Sequence, residues 1–129
     1  LHSAGTDPAQ VQSISAHGTG TSYNDSMEMK AFRQVFTQQP IPTYSIKGGL
    51  GHTMGATGLI ETLIAFESLK RATVPPTVNL RTVDEEAKGW VHPEAIPTGP
   101  AVSTLTTNSG FGGINAALLL KPWKGGVSC

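Results

Sequence analysis

Two histidines and one lysine occupy glycine-rich segments in which their side chains could act on a substrate. His17 opens the run His-Gly-Thr-Gly-Thr, Lys47 precedes two glycines, and His52 follows Gly51. Each segment comes after a predicted strand, and in open α/β sheets ligands bind beyond the carboxyl ends of strands. Glycine lets the backbone approach a ligand closely. We therefore expect these three side chains to converge on one pocket, where they could donate hydrogen bonds or protons to a substrate.

Other chemistries fit this pattern less well. A metal site built from His17, His52 and Asp25 would lack the short-spaced ligand pair typical of metal-binding sequences, so we expect no metal. The glycines between positions 48 and 58 are not followed by Gly-Lys-Ser/Thr, which excludes a Walker phosphate loop, and they do not match the dinucleotide fingerprint. His2 and His92 are interpreted as ordinary hydrogen-bonding residues. The glycine loops could also be plain turns.

The composition describes a small chain with few charges. Its 129 residues are enough for one domain, which we take to span 1–129. Nine basic and nine acidic residues give no net charge, which argues against a nucleic-acid partner. One cysteine, Cys129, excludes an internal disulfide framework and a cysteine-rich zinc site. The apolar stretches are too short to span a bilayer and no secretory segment opens the chain, so we expect a cytoplasmic protein without a membrane partner.

The hydrophobic pattern predicts an α/β domain. Short apolar and β-branched runs predict the strands Val11–Ala16, Thr43–Ile46, Ala101–Thr107 and Ile114–Leu120. Two helices, one from near Asp25 and one over Ala56–Arg71, separate the strands, and an irregular segment covers Leu80–Pro100. This order predicts a mixed sheet. Both helices are expected to cover one face, so that the other face would need a partner layer.

Each predicted helix carries a recognisable signal. Asp25 followed by Glu28 fits a capping box at the start of the first helix. In the second helix, Leu59, Leu63 and Phe66 recur at helical spacing and form an apolar stripe. We therefore expect both helices to pack by an apolar face.

Four motifs in the sequence resemble those of the β-ketoacyl synthases, the condensing enzymes of fatty-acid and polyketide synthesis. They are Ser-Ala-His17-Gly-Thr-Gly-Thr, the segment from Ile-Lys47 through Gly-His52 to Glu61, Val-Pro-Pro-Thr-Val-Asn79-Leu, and Asn108-Ser109-Gly-Phe111-Gly-Gly. The motifs follow the family's order from about Gln10 to Pro122. They are most similar to the acyl-carrier-protein-dependent synthase II type.

The resemblance implies a thiolase-like fold, in which two similar α/β halves each contain a mixed five-stranded sheet flanked by helices. This chain would be most of the C-terminal half, incomplete without the N-terminal half that carries the family's nucleophilic cysteine. Cys129 lies beyond the last motif and does not match that cysteine, so the fragment alone is expected to be inactive. The implied partners are the missing half, a second copy in a full-length homodimer, and an acyl carrier protein with a phosphopantetheine-linked substrate. No cofactor is implied.

The resemblance also implies a decarboxylative condensation. An acyl chain moves to the cysteine, the malonyl-carrier protein loses carbon dioxide, and the resulting carbanion attacks the acyl thioester. His17 and His52 would donate N–H groups to the negative charge that develops on the malonyl thioester oxygen. Lys47 would organise His52 and the local electrostatics. Glu61 would bond into the same network, because a buried carboxylate needs a partner.

Four further residues receive roles from the resemblance. Thr19 and Thr21 would hydrogen-bond the phosphopantetheine arm. The family's last motif usually reads Asn-Ser-Phe-Gly-Phe-Gly-Gly, and aligning its Gly-Phe-Gly-Gly places Ser109 at the first phenylalanine, which gates the acyl pocket, while Phe111 keeps the second. The departure at Ser109 implies a gate that opens differently or an unusual acyl substrate.

Three rival functions remain at this point. A non-catalytic partner of the same fold, such as a chain-length factor, would lack the nucleophile in its other half, although His17, His52 and Lys47 argue against it. A plain structural or binding module would lose no activity when either histidine became alanine. A degradative enzyme of the thiolase type fits the His-Gly-Thr-Gly-Thr pattern less well.

Overall fold

The chain alternates strands with helices, as the pattern predicted. The structure, a computed structural model, describes residues 1–100 and 103–122. Its helices are α1 (Ser22–Val35), α2 (Lys47–Leu50) and α3 (Thr57–Arg71). Its strands are β1 (Ser13–Ser15), β2 (Thr43–Tyr44), β3 (Thr73–Val74), β4 (Ile96–Pro97), β5 (Thr104–Ser109) and β6 (Asn115–Leu120). No helix in the described part of the chain is long and apolar enough to cross a membrane.

A mixed sheet with the strand order β2-β1-β5-β6 lies at the centre of the molecule. β1 runs parallel to β2 and β5, with Ile14 opposite both Thr43 and Leu105, and β6 runs antiparallel to β5. The predicted α/β architecture with a mixed sheet is confirmed. β1 and β2 are shorter than the sequence pattern predicted, and positions 101 and 102, the start of the third predicted strand, lie outside the described residues.

The apolar core fills the space between the sheet and α1. Phe32 of α1 stacks on Trp90 with 6.5 Å between ring centroids, and Phe36 meets the same indole edge-on at 6.4 Å. The buried residues of this core are Val11, Ile14, Ala16, Met29, Phe32, Phe36, Ile41, Trp90 and Leu105. Its three aromatic rings are the largest side chains of this core and bury a large apolar area.

The two long helices lie on opposite faces of the sheet. Glu28 of α1 accepts a hydrogen bond from Thr107, whereas Glu61 of α3 accepts one from Asn108, and consecutive residues of a strand point to opposite faces. The expectation that both helices cover one face is therefore wrong. The physical reason is the handedness of the connections. The chain moves towards one edge of the sheet from β1 to β2 and towards the other edge from β2 to β5. Right-handed connections in opposite directions place their helices on opposite faces of the sheet.

Helix α3 turns a mainly polar face towards the sheet. Its buried residues are Thr57, Glu61, Ala65 and Ser68. The apolar stripe predicted to pack inward points away from the sheet instead, with Leu59, Leu63 and Phe66 between 51% and 67% exposed. The polar face can be buried because its carboxylate is paired with a lysine, as described below.

Two local predictions need correction. Helix α1 begins at Ser22 with Thr21 as its N-cap, so Asp25 and Glu28 do not form a capping box. Glu28 instead accepts hydrogen bonds from the backbone N–H groups of His17 and Gly18, which follow β1. The segment predicted to be irregular contains β4, which pairs antiparallel with β3. These strands are only two residues long and lie beside prolines, too short for an alternating pattern to show.

Candidate active site

His17 lies just beyond the carboxyl end of β1 and is buried. Its backbone N–H and that of Gly18 donate to the two carboxylate oxygens of Glu28, at 2.8 and 2.7 Å. Gly18 has a φ of +43°, and a Cβ at this position would overlap the side chain of Ser45. The backbone therefore turns sharply at Gly18, and Glu28 holds the turn.

Glu28 is a residue of this site that the sequence analysis assigned to another role. It is buried, and besides the two backbone groups it accepts hydrogen bonds from Asn24 Nδ2 at 2.8 Å and Thr107 Oγ1 at 3.2 Å. Several donors of this kind can stabilise a buried carboxylate. The signal in the sequence was its position one turn before Phe32, on the face of α1 that packs on the core.

Lys47 links His17 to α3. It is the first residue of α2, and its Nζ donates to the carbonyl oxygen of His17 and to Glu61 Oε1 and lies 3.5 Å from His17 Nδ1. The ion pair is buried, with side chains 5% and 0% exposed. Asn108 Nδ2 donates to the other oxygen of Glu61 at 2.7 Å. Lys47 thus contacts His17, whereas the resemblance linked it to His52. A buried ammonium needs hydrogen-bond acceptors, and His17 and Glu61 provide them.

The segment after α3 fixes the position of Lys47. A Cβ on Gly48 would overlap the carbonyl oxygen of Val78, so only glycine allows the two backbones to pass this closely. Asn79 Nδ2 donates to the carbonyl oxygen of Gly48 at 2.7 Å. The motif containing Asn79 therefore supports the site by holding α2, without reaching the histidines itself.

His52 is exposed and meets His17 edge-on, with 5.3 Å between ring centroids and 80° between ring planes. The N–H of Met54 lies 3.1 Å from His52 Nδ1, and the hydroxyl of Thr57 lies 3.2 Å from the same nitrogen. A backbone N–H can only donate, so Nδ1 of His52 is the acceptor and the neutral ring carries its proton on Nε2. The lysine ammonium next to Nδ1 of His17 favours the same tautomer there.

Tyr44 is the last residue of β2 and is buried. Burial raises the pKa of Tyr44 to about 12, the neighbouring Ser15 hydroxyl opposes the rise, and the charge of Glu61 adds to it. The phenol therefore stays neutral at physiological pH. It contributes no charge to the field around the lysine–glutamate pair.

The threonines and the glycine-rich turn lie at the same edge of the sheet. The hydroxyls of Thr19 and Thr21 are 2.8 Å apart in the segment between β1 and α1. Ser109 is the half-buried last residue of β5, and Phe111 is 94% exposed. Because β1, β2 and β5 are parallel, their carboxyl ends place all these residues on the side where α/β sheets bind ligands.

The arrangement brings two imidazoles together with a donor beside Nδ1 of each, so that in the neutral tautomer described above Nε2–H is the group that can donate to a ligand. Residues 1–100 and 103–122 contain no cluster of three or more histidine, cysteine or acidic side chains that could hold a metal. The metal site considered from His17, His52 and Asp25 is thus not formed there. Cys129 lies outside the described residues.

Comparisons with known proteins identify the family and the fold. The family model "Beta-ketoacyl synthase, C-terminal domain" matches residues 1–81. A polyketide β-ketoacyl synthase of Streptomyces coelicolor is 37% identical over 94% of this chain and 26% of its own length. The 3-oxoacyl-[acyl-carrier-protein] synthase 2 of Staphylococcus aureus is 33% identical over 96% of this chain and 30% of its own length.

A solved structure gives the same result. It contains a type II polyketide acyl-carrier protein in complex with its ketosynthase, and it matches with a TM-score of 0.86 and 30% identity over 94% of this chain and 30% of the other. The chain therefore spans less than a third of the length of each of these relatives. The expected resemblance and the thiolase-like fold are confirmed. This chain belongs to the β-ketoacyl synthase family and corresponds to its C-terminal domain.

Proposed function

We propose that the protein carrying this chain is an acyltransferase, a β-ketoacyl-[acyl-carrier-protein] synthase of fatty-acid or polyketide synthesis. The observation that carries the proposal is the edge-on pair of His17 and His52, with 5.3 Å between centroids and a donor held against Nδ1 of each ring. Donors oriented in advance stabilise developing negative charge better than water does. The geometry therefore suits a reaction that passes through an oxyanion.

The proposed reaction is a decarboxylative condensation. The bond between the malonyl α-carbon and its carboxylate breaks, carbon dioxide leaves, and the electron pair moves into an enolate whose oxygen the imidazole N–H groups stabilise. The α-carbon then attacks the acyl carbonyl, a carbon–carbon bond forms, and the bond to the cysteine sulfur breaks as the thiolate leaves. The histidines remain neutral donors throughout. Removing one such donor costs about 10²–10³-fold in rate.

The remaining site residues receive supporting roles in this proposal. The ion pair of Lys47 and Glu61 positions His17, because the Lys47 ammonium donates to the carbonyl oxygen of His17 and lies next to its Nδ1. Thr19 and Thr21 would hydrogen-bond the phosphopantetheine arm. They lie in the segment between His17 and α1, at the edge of the sheet where ligands bind. Ser109, in place of a phenylalanine, would widen acyl entry.

A nucleophile must come from another part of the protein in this proposal. The exposed stripe of α3, formed by Leu59, Leu63 and Phe66, provides an apolar face for the missing half of the fold to cover. An exposed patch of large apolar side chains of this kind is typical of an interface. The chain alone would then be inactive, and residues 1–129 would act as one domain of the complete enzyme.

The proposed partners beyond that half are an acyl carrier protein and a second copy of the complete enzyme. A ketosynthase similar to this chain is solved in complex with its acyl-carrier protein, which supports the first partner. We place the reaction in the cytoplasm, because a free thiol nucleophile persists there under reducing conditions. No cofactor is needed for any step.

The test uses a fusion protein in which this chain replaces the matched segment of the S. aureus synthase 2, so that the relative supplies its own N-terminal portion. Release of carbon dioxide from malonyl-carrier protein and formation of the β-ketoacyl product are measured. We expect an active fusion that loses about 10²–10³-fold on His17→Ala or His52→Ala. His92→Ala is the matched control, since the His92 ring contacts the carbonyl oxygen of Gly89 and His92 is not one of the proposed site residues.

Two results would contradict the proposal. A folded but inactive fusion would favour a non-catalytic, chain-length-factor-like role. An active fusion that tolerates alanine at both histidines would show that the glycine loops serve only as turns, as in a structural module. Size-exclusion chromatography of each variant separates loss of folding from loss of catalysis.

A further inference from the structure

A short relay of hydroxyl groups ends on His52. Thr53 Oγ1 lies 3.0 Å from Thr57 Oγ1, and Thr57 Oγ1 lies 3.2 Å from His52 Nδ1. Thr57 is the first residue of α3 and is 3% exposed, so water cannot replace these contacts easily. A buried hydroxyl of this kind needs its hydrogen-bond partners within the protein.

The direction of the relay follows from the neighbouring backbone. Because the N–H of Met54 donates to His52 Nδ1, that nitrogen carries no proton and can only accept. The Thr57 hydroxyl can therefore bond Nδ1 only as a donor, sharing the lone pair of that nitrogen with the Met54 N–H. Its oxygen remains free to accept the proton of Thr53. All four groups are satisfied only when the proton of the neutral imidazole is on Nε2.

We propose that Thr57 is a positioning residue that, with the Met54 N–H, holds His52 in the Nε2–H tautomer and fixes the plane of its ring. The inference rests on the proposed function, because it concerns the donor that His52 would offer to the oxyanion. His52 is exposed and lies in a loop, so its ring would otherwise be free to rotate. Because Thr57 belongs to α3, its hydrogen bond ties the His52 ring to that helix.

The first experiment reads the tautomer directly. The fusion protein is labelled with ¹⁵N-histidine, its histidine rings are observed by long-range ¹H–¹⁵N spectra, and comparison with His52→Gln assigns the signal of His52. We expect the Nε2–H tautomer in the unsubstituted fusion protein and a partial shift towards Nδ1–H in Thr57→Val, which keeps the shape of the side chain, removes its hydroxyl and leaves the Met54 N–H on Nδ1. Thr57→Ser should restore the native spectrum.

The second experiment measures the rate in the fusion protein. Thr57→Val should lower malonyl decarboxylation by about three- to tenfold, the effect of one hydrogen bond, and Thr57→Ser should recover most of it. Thr62→Val is the matched control, because its hydroxyl bonds only the Gly58 carbonyl on the same helix. An unchanged His52 spectrum in Thr57→Val overturns the proposal, even if the rate falls, since Thr57 would then act only by packing. A shifted spectrum in an inactive fusion supports the role of Thr57 and contradicts the proposed function instead.

Discussion

The buried pair of Lys47 and Glu61 gives the sharpest stability prediction. Lys47→Met would remove the ammonium but keep most of the side-chain volume. It would leave the Glu61 carboxylate, which is fully buried, with the amide of Asn108 as its remaining hydrogen-bond donor in the described structure. Removing one partner of a buried ion pair costs about 3–5 kcal/mol. The carbonyl oxygen of His17 would lose its donor as well, so we expect the upper part of this range.

The assay is urea unfolding of the fusion protein, with the free energy of unfolding measured for each variant. The control pair is Lys70 and Glu67 on the same helix, whose nitrogen and oxygen are 2.8 Å apart but whose side chains are 58% and 46% exposed. Lys70→Met should cost about 0–1 kcal/mol, because solvent screens an exposed pair.

A double variant completes the cycle. Adding Glu61→Gln to Lys47→Met removes the uncompensated charge and lets the new amide bond Asn108. We therefore expect the double variant to be more stable than Lys47→Met alone. The reasoning is refuted if Lys47→Met costs no more than Lys70→Met, or if the second substitution adds its own full cost to the first.

Two further predictions concern the phenol at the end of β2 and the glycine-rich turn. Because the pKa of Tyr44 is raised from 10.0 to about 12, the unfolded chain loses the phenol proton first, so the contribution of Tyr44 to stability should be constant below pH 10 and fall by roughly 3 kcal/mol as the pH rises from 10 to about 12. Subtracting the pH titration of Tyr44→Phe in the fusion protein isolates the phenolate absorbance of Tyr44, and ionisation of that phenol in the folded protein near pH 10 would contradict the assignment. Ser109→Phe in the fusion protein should change the ratio of kcat/KM between long and short acyl chains by about tenfold, since a phenyl ring takes up space in the acyl path. Equal ratios in the two proteins would exclude Ser109 from that path.

The sequence was sufficient to predict the order of elements and the edge of the sheet where the site lies. The strands around Ile14 and Leu105 and the helix ending at Arg71 carry local periodic signals, and these signals survive in the fold. The glycine-rich segments predicted the convergence of His17, Lys47 and His52, because each follows a parallel strand at its carboxyl end.

The sequence could not predict which face of each helix is buried or what the buried carboxylates contact. Periodicity shows that α3 has an apolar side, but Glu61 can be buried because its partners Lys47 and Asn108 come from distant parts of the chain. Glu28 fits a capping box locally, yet the backbone of His17 offers it stronger donors. Such tertiary contacts override local preference, and they are concentrated around the two histidines.

The two imidazoles are supported from one rigid element. Thr57 touches His52, and Glu61 reaches His17 through Lys47, and these two supports are one turn apart on the buried face of α3. Four residues of helix rise about 6 Å, close to the 5.3 Å between the imidazole centroids. The distance between the two supports on α3 is therefore close to the distance between the two rings that they hold.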